Sequence, residues 1–394
     1  MKKPILKIVV SVLSLSMIMP ISAFAYEEEK INDPIGEIVS NLKDDEFGGV
    51  YIKDGVLHIK PLEQSQANMV STYTNSTDIA VVFDDAAEYS VQELRNAQDK
   101  AIELFDSLDI DYVAIDDVNN GLAVGIHNLD EEKERIFKEY VNIENISFEN
   151  VGDVIDNFQD VTQSYEDNIS TKAAVEISSG VSVADIDQVD PDDSNKALAA
   201  TIGASVYNSS VKYFVSTAHG TEIGDRFTYN TSNPIGTVNK RVMSGSKGID
   251  VALIKLNENN AKLSSRTIDN NSILTAGAPV TGNTVYIIIG NTPIQAKIKY
   301  ASCTKSWDDS SHNDVQTYKN IMMMEPSGTK LPEGGDSGSA VVTKLSNGAY
   351  NICGIYKGRS KDSGTNGKAV DSSYKYMFAT RWDVLSDYFN IDLY

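Results

Sequence analysis

The sequence predicts two folded parts: a small α+β domain, followed by an all-β domain of the sandwich or barrel type. From residue 200 onward, short apolar strands alternate with turn residues, which is typical of sandwiches and barrels. Between residues 48 and 140, strand–turn–strand patterns alternate with helical ones. The charge also changes, since residues 26–172 hold 34 acidic and 10 basic side chains, whereas residues 173–394 hold 22 and 21.

The first 25 residues have the pattern of a secretory signal peptide. Three lysines precede an apolar run over residues 8–21, and the small-x-small pattern Ala23-Phe24-Ala25 follows it. An uncleaved membrane anchor is the alternative, but the run is short for a membrane span. We therefore expect a secreted protein with no membrane attachment after signal cleavage.

The charge step indicates two units with different roles, and we place their boundary between residues 172 and 173. An acidic surface argues against nucleic acid as a partner, because binding to phosphates needs a basic footprint. The plain interpretation of the acidic part is a solvated surface on a removable or chaperoning segment.

Local patterns predict the elements of the acidic part. A helix begins after Ser90, where Glu93 completes a capping box, and a charged helix covers residues 130–140. Strands are predicted at residues 48–62, 79–83 and 112–127, the first and the last as hairpins with Gly-containing turns.

Residues 164–199 are rich in Ser, Asp, Asn and Ala, and we interpret them as a linker merging into the second domain. The all-β domain then follows, and a terminal helix is expected over residues 381–389. Its strands are predicted at residues 212–216, 251–256, 284–289, 295–301, 320–325, 339–345, 350–356 and 374–380.

The two cysteines, Cys303 and Cys353, both lie in predicted strands. Export would permit a disulfide, and a pair of unlinked buried thiols is equally consistent with the pattern. Two cysteines without clustered histidines argue against a structural zinc site, and the sequence predicts no metal and no cofactor.

Ser337 has the surroundings of an activated nucleophile. A serine hydroxyl attacks poorly unless a base takes its proton. The glycines on both sides allow backbone N–H groups to turn toward one point, so the amides of Gly335 and Ser337 are predicted oxyanion donors. An ordinary Gly-Asp-Ser turn is the alternative for this stretch alone.

His219 and Asp250 could complete such a site. His219 follows an apolar strand, and the other three histidines lie in the acidic part or in the polar loop 307–314. Asp250 precedes a strongly apolar strand, so we expect it to be partly buried and to need a donor such as an imidazole. Taken singly, a structural histidine and a strand-capping aspartate are the alternatives.

The three stretches, in the order His, Asp, Ser, resemble the motifs of the trypsin-like (chymotrypsin-fold) serine proteases. Residues 215–220 look like the histidine motif, 250–253 like the aspartate motif and 335–338 like the nucleophile motif. The spacings of 31 and 87 residues are similar to those of secreted bacterial members such as alpha-lytic protease and the streptogrisins, which also carry an N-terminal prosegment. The resemblance covers about residues 175–394.

The resemblance implies two six-stranded antiparallel barrels with the site between them. It implies that His219 acts as general base and then acid, that Asp250 orients it, and that Ser337 attacks a peptide carbonyl to form an acyl-enzyme. By the same resemblance, residues 26–172 are a propeptide that aids folding and blocks the cleft, and residues 173–394 are the protease that acts on polypeptides.

Substrate binding departs from the family pattern. The strand predicted to bind the substrate backbone contains Tyr356, Lys357 and Gly358, without the usual Ser-Trp-Gly or Ser-Gly-Gly step. Leu331 lies six residues before Ser337, where trypsin-type enzymes carry an acid. The resemblance therefore implies a neutral or apolar preference rather than cleavage after Lys or Arg.

Two other functions remain open from the sequence. The second half could be a secreted binding or adhesion module that keeps the fold without the chemistry. The acidic half could instead be a permanent partner-binding domain. An esterase of another fold is disfavoured, because its serine precedes its acid and its histidine in the chain.

Overall fold

A computed structural model describes nine stretches of the chain. Predictions for the signal peptide, for a processing site near Lys172 and for His312 lie outside them. The described residues are 33–63, 79–152, 154–157, 162–164, 174–190, 193–230, 233–309, 314–362 and 374–394.

The acidic part forms the predicted helices and hairpins. Ser90 accepts from the backbone N–H of Glu93 while the Glu93 carboxylate accepts from the backbone N–H of Ser90, which confirms the capping box. The elements are α1 (Pro34–Ser40), β1 (Phe47–Lys53), β2 (Val56–Pro61), β3 (Val81–Phe83), α2 (Val91–Ala101), α3 (Phe105–Leu108), β4 (Ile110–Asp116), β5 (Gly121–Ile126), α4 (Glu131–Val141), β6 (Ile146–Asn150), β7 (Val154–Asn157) and β8 (Thr162–Ser164).

The second part is almost entirely strand, as the sequence predicted, and ends with a helix. Its elements are β9 (Val175–Ser179), β10 (Ser182–Asp190), β11 (Asp193–Thr201), β12 (Ala204–Asn208), β13 (Val211–Ser216), β14 (Arg226–Thr228), β15 (Pro234–Ser244), β16 (Ile249–Leu256), β17 (Ala261–Thr267), β18 (Ile273–Ala276), β19 (Thr284–Ile287), β20 (Ile294–Asp309), β21 (Asp314–Pro326), β22 (Ala340–Lys344), β23 (Tyr350–Asp362), β24 (Tyr374–Arg381), α5 (Trp382–Phe389) and β25 (Asp392–Leu393).

Six of these strands close into an antiparallel barrel. Their order is β19-β22-β23-β24-β21-β20, and β20 pairs back to β19. Closure leaves this barrel without a free edge along most of its length. Its interior is apolar, with Val341, Met322 and Ala379 among the buried residues.

A second, nine-stranded antiparallel sheet carries the other half of the domain. Its order is β25-β12-β13-β16-β15-β14-β10-β11-β8. Val183 of β10 and Phe214 of β13 meet in one buried cluster although three strands separate β10 from β13 in the sheet. The sheet therefore wraps around a core of its own, in agreement with a two-barrel architecture.

The acidic part is joined to this domain by strand pairing at three places. β4 pairs with β20, β7 pairs with β23 and β8 pairs with β11, each in antiparallel fashion. Through β4, the strands β5 and β6 also extend the sheet that contains the six-stranded barrel.

Two predictions from composition are wrong. Residues 174–199, expected to be part of a linker, form β9, β10 and most of β11, because Ile177, Val183 and Ala197 supply an inward-facing apolar side that the polar composition obscured. The predicted polar loop 307–314 begins and ends in strands, because Trp307 lies in β20 and Asp314 in β21, and both residues are buried.

Both cysteines are free and buried, which settles the alternative left open by the sequence. Burial raises the pKa of each thiol well above its usual range, so neither is a reactive thiolate.

No helix among the described residues is both long enough and apolar enough to span a membrane.

Candidate active site

His219 and Asp250 meet at the ends of two neighbouring strands. His219 follows β13, and Asp250 is the second residue of β16, which pairs with β13. The His219 Nδ1 atom lies 2.6 Å from the Asp250 Oδ2 atom, and both side chains are buried. This contact occupies Nδ1, so a proton transfer by the imidazole would take place at Nε2.

Asp250 is held by several donors at once. The backbone N–H groups of Ala218 and His219 each donate to its Oδ1 atom at 2.9 Å. Burial alone would raise the pKa of the Asp250 carboxyl, but the charges of His219 and Lys357 outweigh burial and hold that pKa far below its usual range. The Asp250 carboxylate is therefore ionised at neutral pH.

Lys357 provides a further donor to this carboxylate, besides the two backbone N–H groups and the His219 imidazole. Its Nζ atom lies 2.8 Å from the Asp250 Oδ2 atom and 2.5 Å from the Asp314 Oδ2 atom, and all three side chains are inaccessible to solvent. The ammonium also faces the rings of Tyr318, at 4.1 Å, and Trp307, at 4.6 Å. Tyr318 donates in turn to the Asp314 Oδ1 atom, at 2.8 Å.

Ser337 lies in the loop before β22, next to the same group of residues. Its hydroxyl donates to the backbone carbonyl of Lys357, at 2.9 Å. The loop turns sharply at Gly338, whose φ is +98°, and a Cβ atom there would meet the Thr201 carbonyl at 2.3 Å and the Ser216 hydroxyl at 2.4 Å. Only glycine fits this position.

Thr201 holds the loop that carries the predicted oxyanion amides. Its hydroxyl donates to the carbonyl of Gly335 at 2.8 Å, and its N–H donates to the carbonyl of Ser337 at 3.1 Å. Within the described part of the chain, the amides of Gly335 and Ser337 have no backbone acceptor. An oxyanion site requires such unused N–H groups beside the nucleophile.

The residues predicted to bind substrate lie in different surroundings. Tyr356 is buried in the barrel core, and Lys357 points inward to Asp250. Gly358 is paired with Phe378 of β24. Leu331 lies half-buried in the loop before Ser337, and the neighbouring Pro332 carbonyl accepts from the Arg359 guanidinium.

Sequence reasoning missed Asp314 and gave Lys357 a different role. Asp314 was assigned to a polar loop, and Lys357 was assigned to substrate contact. The one signal for this ion pair in the sequence was a lysine directly after the apolar residues Ile355 and Tyr356, because a buried lysine needs a carboxylate partner.

Three comparisons with known proteins were informative to different degrees. Neither the models of known protein families nor the curated proteins gave a match. Among solved structures, the chain is similar to a Nocardiopsis protease, with 17% identity over 56% of this chain and 99% of that one, at a TM-score of 0.41.

Two further solved structures are similar over the same share of the chain. Thermobifida fusca protease A is 18% identical over 56% of this chain and 98% of its own length, with a TM-score of 0.38. An alpha-lytic protease homologue is 13% identical over 56% of this chain and 100% of its own, with a TM-score of 0.39. The chemistry assigned below rests on the site geometry.

Proposed function

We propose that the protein is a secreted serine endopeptidase that hydrolyses peptide bonds through Ser337, His219 and Asp250. The observation that carries this proposal is the buried 2.6 Å contact between His219 and Asp250, beside a serine loop with two unused amides. A carboxylate on Nδ1 fixes the tautomer in which Nε2 can accept a proton.

The chemistry follows from these positions. The Ser337 hydroxyl turns from the Lys357 carbonyl toward His219 Nε2, passes its proton there and bonds to the substrate carbonyl carbon. The amides of Gly335 and Ser337 stabilise the oxyanion that forms. His219 then gives the proton to the leaving amine as the peptide bond breaks. Water attacks the acyl-enzyme by the same steps, which releases the acid product and restores Ser337.

The pairing of the acidic part with the β domain supports the proposal that the protein is made as an inactive precursor, a zymogen. Its strand β7 pairs antiparallel with β23, from Arg359↔Asn157 to Asp362↔Val154. This pairing begins two residues beyond Lys357, whose carbonyl contacts Ser337. An extended substrate would add to a sheet edge in the same way, so β7 covers the neighbouring edge until it is removed.

A fluorophosphonate probe tests the proposal on the secreted protein. We expect one adduct by intact mass on a processed product of about 220 residues, with the signal peptide and the acidic part removed. The adduct should be absent in Ser337→Ala and in His219→Ala, and present in Ser339→Ala, a matched serine two positions away in the same loop.

A folded, processed protein without an adduct would favour the binding module of the same fold. An adduct on the full-length secreted chain would instead favour the permanent two-domain arrangement. Profiling with peptide libraries would then define which residue precedes the cleaved bond.

A further inference from the structure

A second cluster of charged side chains lies behind the loop that follows His219. Asp185 and Asp187 belong to β10, and Asp225 immediately precedes β14, the strand that pairs with β10. One carboxylate oxygen from each of the three lies within 4.8 Å of the others. Residues 164–199 were interpreted from the sequence as a linker, and no metal ligands were singled out among them.

Asp185 is the unusual member of this cluster. Its side chain belongs to a residue that is 1% exposed, and its Oδ2 atom is buried with no hydrogen-bond partner in the described part of the chain. Its Oδ1 atom accepts from the Asp187 N–H, at 3.1 Å. An ionised carboxylate left in this state is costly, because nothing replaces its hydration.

The charges around the cluster do not balance. Arg226 pairs with Asp187 through Nη2 at 2.5 Å and thereby neutralises that residue. In the described part of the chain, Asp225 accepts from two uncharged donors, Glu222 N–H at 2.5 Å and the Gln188 amide at 3.1 Å. Asp185 and Asp225 thus leave about two negative charges side by side, the complement of one divalent cation.

We propose that Asp185, Asp187 and Asp225 bind one calcium ion between β10 and the start of β14. The oxygens span at most 4.8 Å, twice a calcium–oxygen distance of about 2.4 Å, and all are hard carboxylate ligands. The half-exposed Asp225 and the exposed Asp187 leave the outer side open for water, which calcium accepts readily among its six to eight ligands.

The site would connect the first strands of the domain to the loop after His219. Gln188, which lies between the cluster residues in β10, donates to the Gly220 carbonyl at 2.7 Å as well as to Asp225. A bound ion would fix β10 and Asp225, and through Gln188 it would brace the residue next to the histidine. This stabilising role does not depend on the proposed peptidase activity.

Calorimetry on the full chain tests the proposal with calcium chloride as the only added ligand. Isothermal titration should show one ion bound per chain. Thermal unfolding in calcium should occur about 5 °C higher than in a chelator. Both effects should disappear in Asp185→Asn and in Asp225→Asn, and both should persist in Asp117→Asn, which removes a buried carboxylate elsewhere.

Two results would overturn the proposal. If the wild-type chain binds no calcium and Asp185→Asn is at least as stable as wild type, the two carboxylates share a proton instead. If calcium binding survives both substitutions unchanged, the ion binds at another place. Should one variant fail to fold, the titration of the wild-type chain and the other variant still decide the outcome.

Discussion

At the scale of single residues, Lys357 sets the charge of the proposed active site. Its ammonium is shared between Asp250 and Asp314, so one positive charge faces two carboxylates in a region closed to solvent. With a neutral imidazole the group carries one net negative charge, and with a protonated imidazole it carries none. This arrangement favours the imidazolium that forms when Ser337 attacks.

Replacement of Lys357 should therefore change the pH dependence of catalysis. In Lys357→Met, loss of the positive charge beside Asp250 favours protonated His219, so the acid limb of kcat/KM should move to higher pH by about one unit. We also expect the free energy of unfolding to fall by about 3–5 kcal/mol, because two buried carboxylates lose their cation. The measurements are a kcat/KM profile from pH 5 to 9 and urea unfolding.

Two variants separate this effect from general damage. Lys357→Met combined with Asp314→Asn should regain part of the stability, since it removes the excess buried charge, while the acid limb stays displaced. Lys319→Met, which breaks a more exposed pair with Asp99, should leave the profile in place. An unmoved acid limb in Lys357→Met would show that the lysine has only a structural role.

Asp336 gives a second prediction at this scale. Burial is the main reason that the pKa of Asp336 is raised to about 6, in spite of a hydrogen bond from Glu333 N–H. Between pH 4 and 6 the folded protein keeps a proton that the unfolded chain has lost, so stability should fall as the pH rises through this window.

The Asp336→Asn substitution should remove that slope. With Ser337→Ala as the parent, the double variant Ser337→Ala/Asp336→Asn should gain about 2–3 kcal/mol in free energy of unfolding relative to the parent between pH 4 and 7. Urea unfolding at each pH measures it. Parallel stability curves for parent and variant would contradict the assignment.

The sequence was informative about the residues that we propose to react and silent about those that contact them. His219, Asp250 and Ser337 each lie in a local pattern that suits one chemical role. Lys357 and Asp314 do not, because their roles depend on distant contacts: Lys357 reaches Asp250 across 107 positions of the chain and Asp314 across 43. Pairings between distant positions leave no periodic signal in a single sequence.

At the scale of elements, strand β7 lies against β23 and is held by a buried charge cluster. Asp156 of β7 accepts from Lys305 Nζ at 2.9 Å and from the Ser360 hydroxyl at 2.6 Å. Asp111 of β4 shares the same ammonium, at 2.7 Å. Both carboxylates come from the acidic part, and both of their partners come from the β domain.

Asp156→Asn should loosen this strand. A hydrogen bond to a charged group contributes about 1.5–3 kcal/mol, so its loss should make the local opening of β7 about 10–100 times more frequent. Hydrogen exchange of the Ser337→Ala full chain should show faster exchange at residues 154–157 and 359–362. Asp106→Asn, an exposed position in α3, is the control. Unchanged exchange in Asp156→Asn would show that the charge cluster does not hold β7 against β23.

Elements with strong local signals were predictable, and those defined by their neighbours were not. The capping box at Ser90 and the Asn-Gly turn before β5 depend on a few adjacent residues, and helix α2 and the β4–β5 hairpin form as expected. β10 and β11 carry many Asp, Ser and Ala residues and are strands because they pair with each other and with β14. Tertiary pairing thus overrides a composition typical of loops.

At the scale of the whole molecule, the acidic part completes sheets of the β domain. Cys303, Thr304 and Lys305 of β20 find their strand partners in β4, and Lys196, Ala197 and Leu198 of β11 find theirs in β8. These pairings join positions that are far apart in sequence, and such contacts form slowly during folding. A partner that is already folded could supply an edge on which β20 is built.

The acidic part should therefore accelerate folding of the β domain. Residues 173–394 refolded alone should recover slowly and with low yield, because Lys305 then loses both carboxylates and the edges of β11 and β20 remain open. Addition of residues 26–172 in trans should raise the rate and the yield at least about tenfold, if the transition state gains a few strand pairs.

The same segment carrying Asp111→Asn and Asp156→Asn is the matched control and should raise the rate and the yield much less. Tryptophan fluorescence and the fluorophosphonate adduct report the recovery, and equal rates and yields with and without the segment would show that the β domain folds independently of it.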